Sequence, residues 1–347
     1  MSDAPLVTII TPAYNAERYI DACIGSALAQ TFGSFEQIIV DDGSTDTTAE
    51  RVTAWRDPRL RYIRLPHRGL DALAASYNSA LEQARGSLIA ILEADDFWPP
   101  DKLARQTPAF SDGEVQLCWG NAIVVDQDDR MTWRWATRRS HADRDIGLDS
   151  LFRLLARSNV LTPTVTVMAR RQALQRIGGF HQRAGAPFVD LPTWLLLSAR
   201  NQGKARHLDA TLGYYRTHPA QTSQMRSSAM FSSQLAILDS VLAELEDGEK
   251  RALGWTERDH RGAAASAAVL EGVGNLRAGR RDNARVKFVR ALRDSDSLPL
   301  TARAAAGVLS TVIGFDLLEA VTHARQAVSR AMLRFTTRAA TTPPATR

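Results

Sequence analysis

Leu88-Ile-Ala-Ile-Leu-Glu-Ala-Asp-Asp-Phe-Trp-Pro-Pro100 is the stretch that decides the fold. Leu88 to Leu92 has the length and composition of a buried strand. It runs straight into the carboxylates Glu93, Asp95 and Asp96, and Trp98, Pro99 and Pro100 then stop regular structure. Negative charge crowded at the mouth of a buried strand is costly unless a cation offsets it. Mn²⁺ or Mg²⁺, which take hard oxygen ligands and carry phosphates, fit that need. The competing reading is a solvated acidic turn.

Upstream of this stretch, the buried, β-rich run at residues 6–11 and the segments 35–40 and 61–65 predict three more strands. Helical spacing predicts helices over Ala16–Gln30, Thr47–Trp55 and Leu70–Ala84, with Asp46 or Ser44 capping the second and Gly86 ending the third. The order β-α-β-α-β-α-β predicts a mostly parallel sheet flanked by helices, an α/β fold. In such sheets the ligand lies outside the carboxyl ends of the strands. Those ends read Pro12-Ala13-Tyr14-Asn15, Asp41-Asp42-Gly43 and Glu93-Ala94-Asp95-Asp96. Tyr14 offers a ring for a nucleobase to stack on, and Asp42 an acceptor for a base imide; a rim aromatic and a plain βα turn are the rivals. No G-x-G-x-x-G follows the first strand and no G-x-x-x-x-G-K-[ST] occurs, which argues against a dinucleotide fold and a P-loop.

Downstream, short strands are expected over 116–135, a helix over 146–156, a strand over Thr164–Met168 and a helix over 193–201 behind Pro192. Ala205 to Arg216 reads as a strand closed by Thr217-His218-Pro219. Beyond Ser223 the chain becomes rich in Ala, Leu and Arg, and helices are expected near 226–247, 257–279, 282–294, 301–313 and 316–335. The pair around Gly274 and Gly279 resembles a single tetratricopeptide-like unit, too little for an array. The organisation expected is an α/β half (1–110) that binds a nucleotide-type ligand, a second half of the same domain (111–225), an all-α C-terminal region (226–335) and a disordered tail (336–347).

Composition narrows the class. The 347 residues are 44% hydrophobic, enough for a sizeable core. The net charge of +5 is uneven: residues 271–347 hold 13 Lys+Arg against 6 Asp+Glu, so the basic excess lies in the tail. Cys23 and Cys118 lack metal-site spacing and read as buried thiols in a reducing compartment. The N-terminus lacks a basic n-region, and the uncharged run between Arg303 and Asp316 is too short to span a bilayer, so a cytoplasmic protein is expected. The helix 316–335 carries an apolar stripe with Arg325, Arg330 and Arg334 off it. Packing within the tail is the favoured reading; peripheral contact with the inner face of an anionic membrane is the alternative. No nucleic-acid partner is expected.

Val7-Thr-Ile-Ile-Thr-Pro-Ala-Tyr-Asn15, Ile39-Val-Asp-Asp-Gly-Ser-Thr-Asp46, Asn78 to Gly86 and Leu92-Glu-Ala-Asp-Asp96 with Pro100-Asp-Lys-Leu103 resemble the inverting family-two glycosyltransferases of the GT-A fold. Ile177-Gly-Gly-Phe180, the segment around Asp190 and Trp194, and Tyr215-Arg-Thr-His218 resemble that family's acceptor half. The resemblance spans about residues 5–225 and stops before the helical tail. It implies a GT-A-type mostly parallel sheet with helices, a nucleotide-sugar donor (a UDP-sugar foremost) and a carbohydrate or lipid-linked acceptor.

The implied roles follow residue by residue. Pro12, Tyr14, Asn15, Asp41, Asp42, Asn78, Glu93 and Ala94 would hold the nucleotide. Asp95 and Asp96 would hold the metal, and Arg216 and His218 would face the diphosphate or metal. Asp190 would be the catalytic base, with a helix N-cap as its rival role. Three departures stand out. Glu93 replaces the family's first motif aspartate, Tyr77 stands where an arginine often precedes Asn78, with Arg68 a possible substitute, and Val189 replaces a glutamate before the base. An isolated base among Phe188, Val189 and Leu191 should have a raised pKa. The departures motivate a rival, a catalytically silent nucleotide- or sugar-binding relative. A sugar nucleotidyltransferase is a second rival, disfavoured because Pro12-Ala13-Tyr14-Asn15 stands where its Gly-rich basic loop belongs.

Overall fold

The structure is a computed structural model that describes residues 4–135, 143–183, 185–186, 188–221, 227–313 and 316–320. The expected tail 336–347 and all but the start of the expected helix 316–335 lie outside the described residues.

The first half alternates as expected: β1 (Val7–Ala13), α1 (Ile20–Leu28), β2 (Phe35–Asp41), α2 (Thr48–Ala54), β3 (Leu60–Arg64), α3 (Leu73–Gln83) and β4 (Leu88–Ile91). These strands are parallel in the order β3-β2-β1-β4, so the chain reverses its direction of growth at β1. A crevice opens at the carboxyl ends where such a reversal occurs. Both faces of β1 are covered. Val7 and Ile9 pack with Cys23 and Ala27 of α1, while Ile10 packs with Tyr77, Ala80 and Leu81 of α3. Full cover explains the unbroken apolar runs that made these strands legible.

The chain continues as α4 (Lys102–Gln106), β5 (Val115–Val125), β6 (Met131–Trp135), β7 (Asp145–Gly147), α5 (Leu148–Arg157), β8 (Met168–Arg170), α6 (Arg171–Arg176), α7 (Asp190–Arg200) and β9 (Lys204–Arg216). The sheet runs on without a break as β4-β8-β5-β9-β7, with β6 paired to β5. The tail region adds α8 (Ser227–Glu244), α9 (Asp247–Leu253), α10 (Glu257–Arg277), α11 (Arg281–Asp294) and α12 (Leu298–Ile313). Ile237, Leu238 and Val241 of α8 and Ala263 of α10 join the core that holds α5 and α7. Phe288 of α11 wedges between Gly272 and Gly307, where any larger residue would collide with its ring.

Some expectations shift. The strand expected over Thr164–Met168 is a 3₁₀ turn, Thr164–Thr166, followed by β8. Thr166 N–H turns back to Pro163 O, while Trp98 Nε1 and Gln106 Nε2 donate to Val165 O and Thr166 O, so side chains replace a strand partner. Asp46 accepts from Thr48 N–H and its hydroxyl, holding the start of α2, whereas Ser44 caps nothing and accepts from Asn15 N–H. The third helix ends at Gln83, not at Gly86. Gly86 is needed because a Cβ there would sit 2.5 Å from Thr8 N on β1. The helix expected over 226–247 ends at Glu244, and a Glu246–Glu249 capping box starts α9. Both cysteines are buried and free, as expected.

Lys102 follows the acidic motif and is fully buried. Its Nζ lies 3.8 Å from the Trp98 ring centroid and has no hydrogen-bond partner among the described residues. Burial pushes the ammonium down from 10.5 to about 7, against the raising pull of Cys118 and Glu93. A base whose folded pKa is depressed costs most stability below the folded value, and the cost fades as pH rises to the unfolded value. Lys102→Met should therefore melt higher than the native chain near pH 6. Its advantage should narrow by about 1.4 kcal/mol per pH unit between pH 7 and 10. A difference independent of pH in thermal melts would contradict this.

Candidate functional site

The βα turns after β1 and β2 are zipped together by side chains. Asn15, at φ +47°, accepts from Thr45 N–H through Oδ1 at 2.8 Å, and Glu17 accepts from Thr47 N–H. Asp41 is fully buried and accepts from Ser44 N–H at 2.8 Å and from Tyr62 O–H at 2.6 Å. Asn15 and Asp41 thus shape the turns, and the fully buried Asp41 leaves little for a ligand. Pro12 is half-buried and pairs with Val40. Ala94 is buried with Ala13, Ile20 and Ile39 and, contrary to expectation, its side chain does not reach a ligand.

Tyr14 stands 45% exposed on this rim. Its ring stacks on His67, with centroids 4.2 Å apart and planes 14° from parallel. His67 Nδ1 lies 2.9 Å from both the carbonyl oxygen and Oδ2 of Asp42. Arg68 N–H donates to Asp42 Oδ1 at 3.3 Å. Tyr14, His67 and Asp42 form one aromatic and acidic wall. The sequence reading missed His67, which sits in an unpatterned loop; the adjacent Arg68 brings its backbone N–H here rather than its cation.

Asn78 sits elsewhere. Its Nδ2 donates to Phe180 O at 2.9 Å, and its Oδ1 accepts from Phe180 N–H at 2.7 Å. Gly179, at φ +98°, permits this approach, since a Cβ there would strike Asn78 Oδ1. The amide ties α3 to the segment before α7 and has nothing left for a nucleotide.

The acidic motif divides in three. Asp96 is 2% exposed, and its Oδ1 accepts from Arg216 N–H at 2.8 Å. Glu93 accepts from Tyr77 O–H through Oε1 at 3.2 Å, while its Oε2 is buried with no partner. Two departures from the family pattern, Tyr77 and Glu93, are therefore each other's neighbours. Burial, then the nearby Asp95, raises Glu93 to about 7 and Asp96 well above the carboxylate range. Asp95 is 24% exposed, and its Oδ2 lies 3.1 Å from His218 Nε2.

Arg216 departs from its expected place. It is 2% exposed, its Nε donates to Asp95 O at 2.7 Å, and its Nη1 pairs with Asp129. Its guanidinium lies between the rings of Tyr19 (4.7 Å) and Phe97 (5.2 Å). It faces the protein and supports the motif from behind; His218 is the member of the pair that reaches the front. Among the described residues no three Asp, Glu, His or Cys side chains converge as a complete metal cage. Mn²⁺ or Mg²⁺ still fits the donor set, because such ions take one or two carboxylates when phosphates and water supply the rest. Asp95 beside His218, with the orphaned Glu93 Oε2 nearby, meets that requirement.

Asp190 opens α7 but does not cap it, since the cap position is Val189 and no side-chain cap bond forms. Its Oδ2 accepts from Asn159 Nδ2. Burial raises its pKa, with Leu191 N–H, Asn159 and Thr162 pulling the other way. The isolated, raised carboxyl expected from its apolar neighbours is thus present. Its charge raises the pKa of both Glu93 and Tyr77, so it shares their electrostatic surroundings.

The family model described as Glycosyl transferase family 2 matches residues 8–178. The chain is 32% identical over 195 residues to the putative teichuronic acid biosynthesis glycosyltransferase TuaG of Bacillus subtilis, covering 56% of this chain and 72% of that protein. It is 30% identical over 220 residues to WfaP of Escherichia coli, a UDP-Glc:α-D-GlcNAc-diphosphoundecaprenol β-1,3-glucosyltransferase, covering 63% of this chain and 80% of that enzyme. The fold matches the mannosyltransferase PcManGT of Pyrobaculum calidifontis, with TM-score 0.57 and 19% identity, over 95% of this chain and 86% of that one. It also matches S. aureus TarS 1–349, with TM-score 0.54 and 17% identity, over 89% and 91% of the two chains. These likenesses in shape bear out the GT-A-type fold and take in helical regions that the sequence resemblance leaves out. The chain belongs to glycosyl transferase family 2 and is a glycosyltransferase.

Proposed function

We propose that this glycosyltransferase moves a sugar from a UDP-sugar to an acceptor hydroxyl with inversion, in cell-surface glycan or glycolipid synthesis. The observation that carries the reading is the crevice at the β1–β4 reversal. It offers the exposed Tyr14 stacked on His67 and the Asp95–His218 pair, and the half-buried carboxyl of Asp190 at the start of α7 is taken as the third member of the site. A second support is WfaP, named for a UDP-Glc donor and a diphosphoundecaprenol-linked acceptor.

In this reading Tyr14 stacks the base, and the exposed edge of Asp42 accepts from its imide N–H. Asp95 and His218 would hold Mn²⁺ or Mg²⁺ near the donor diphosphate. The ion would supply charge neutralisation for the departing diphosphate. Asp190 takes the proton of the acceptor hydroxyl as that oxygen attacks the anomeric carbon. One displacement from the face opposite the diphosphate inverts that carbon. The raised pKa suits a base working near neutrality. A lipid-linked acceptor needs only a membrane-facing approach, and no described helix is long and apolar enough to cross a bilayer.

Two variants test the reading. Asp95→Ala should remove the Mn²⁺-dependent part of UDP binding measured by calorimetry; equal affinity with and without Mn²⁺ in the native chain and the variant would refute the ligand role. Asp190→Asn should bind UDP as before while turnover falls by about 10²–10⁴. Near-normal turnover would remove Asp190 from the chemistry. Release of UDP from a UDP-sugar separates a transferase from a silent relative, and pyrophosphate release from UTP would favour a nucleotidyltransferase.

A further inference from the structure

Asn159 carries no motif, yet it is the side chain that grips the candidate base. It lies just after α5, in the turn that leads to Pro163. Its Nδ2 donates to Asp190 Oδ2 at 2.5 Å, and its own Oδ1 accepts from Leu161 N–H at 3.3 Å. The second bond orients the amide, with its oxygen toward the loop backbone and its nitrogen toward the carboxylate. The loop is held from outside as well. Arg157, two residues earlier, forms a two-point pair with Asp296, Nη1 to Oδ1 at 2.8 Å and Nη2 to Oδ2 at 2.5 Å. Asp296 lies between α11 and α12. The C-terminal helical region therefore braces the end of α5 from one side, while Asn159 reaches Asp190 on the other.

We propose that Asn159 is a positioning residue that fixes the Asp190 carboxylate and favours its ionised form. This rests on the reading of Asp190 as the base. In the step concerned, the acceptor O–H bond breaks and its proton passes to the Asp190 carboxylate. The oxygen's electron pair forms the new bond to the anomeric carbon, and the bond from that carbon to the diphosphate breaks with its electrons leaving on the nucleotide. A carboxylate that must be ionised before this step gains from a fixed N–H donor, because such a donor stabilises the charged form. Leu191 N–H and the Thr162 hydroxyl favour ionisation alongside Asn159, while burial and the acid nearby oppose it. Glu93 at the end of β4 is a second acid, and Tyr77 on α3 is a neutral phenol at working pH. Thr162 in the same loop adds a hydroxyl, and the flanking Val189 and Leu191 are apolar.

The test is a carboxyl titration by NMR on full-length chain labelled with ¹³C-aspartate, the Asp190 signal assigned by its loss in Asp190→Asn. In Asn159→Ala the Asp190 midpoint should rise by about 0.5–1 pH unit. In Asn159→Asp, nearly isosteric and so a guard against a folding defect, it should rise further. The acid limb of UDP release from UDP-glucose should move by the same amount, with the KM for UDP-glucose changed less than twofold. A merely structural role would lower turnover evenly at every pH without moving the limb. An unmoved midpoint in both variants would overturn the assignment of Asn159, whatever the enzyme's donor, because the titration needs none. A raised midpoint with an unmoved limb, together with an active Asp190→Asn, would instead overturn Asp190 as the base and with it any catalytic meaning for Asn159.

Discussion

One buried guanidinium holds the crevice together. Arg216, at the end of β9, donates from its guanidinium to the backbone of Asp95 and pairs with Asp129 of the β5–β6 turn, close to the rings of Tyr19 and Phe97, while its backbone N–H donates to the Asp96 carboxylate. A run of carboxylates at the mouth of a buried strand would otherwise repel itself and lose hydration. Arg216 answers one side of that problem permanently. Asp96 is held inward by the backbone N–H of the same residue, so Asp95 and His218 are left at the front. The division of labour in the motif, one acid for structure and one for ligand, follows from how Arg216 is anchored.

The second constraint is topological. Because β1 lies between β2 and β4, three strand ends that are far apart in sequence open into one crevice. The turns there are cross-linked, Asn15 to Thr45 and Glu17 to Thr47, before any ligand arrives. Such pre-ordering reduces the entropy lost on binding. On the far side, α7 is clamped by α5 and the tail helices, so Asp190 is presented by packed helices rather than by a mobile loop.

Much of this was legible in the chain because the physics is local. Apolar runs buried on both faces, with turn residues between them, give the parallel half almost element by element. The 164–168 segment was misread because its β-branched residues are buried like a strand's, while their backbone is satisfied by Trp98 and Gln106, which lie far away in sequence. At the site, residue type revealed which positions carry charge but not which way they point. Arg216 and Asn78 were expected to meet the donor, and both are engaged by the protein. Nothing local to Arg216 tells of Asp129, nor anything local to Asn78 of Phe180. His67 and Asn159 were missed for the same reason, since their partners, Tyr14 with Asp42 and Asp190, lie on other elements. The split of Glu93, Asp95 and Asp96 into three environments likewise needed the tertiary contacts of Tyr77, His218 and Arg216.

A crystal structure with UDP and Mn²⁺ bound tests the account most directly. The account predicts the uracil on Tyr14, the ion on Asp95 and next to His218, and Arg216 still turned inward behind Asp96, with Asp190 facing open space beyond the β-phosphate. A nucleotide lodged away from the β1–β4 crevice, or an ion held without Asp95, would contradict it.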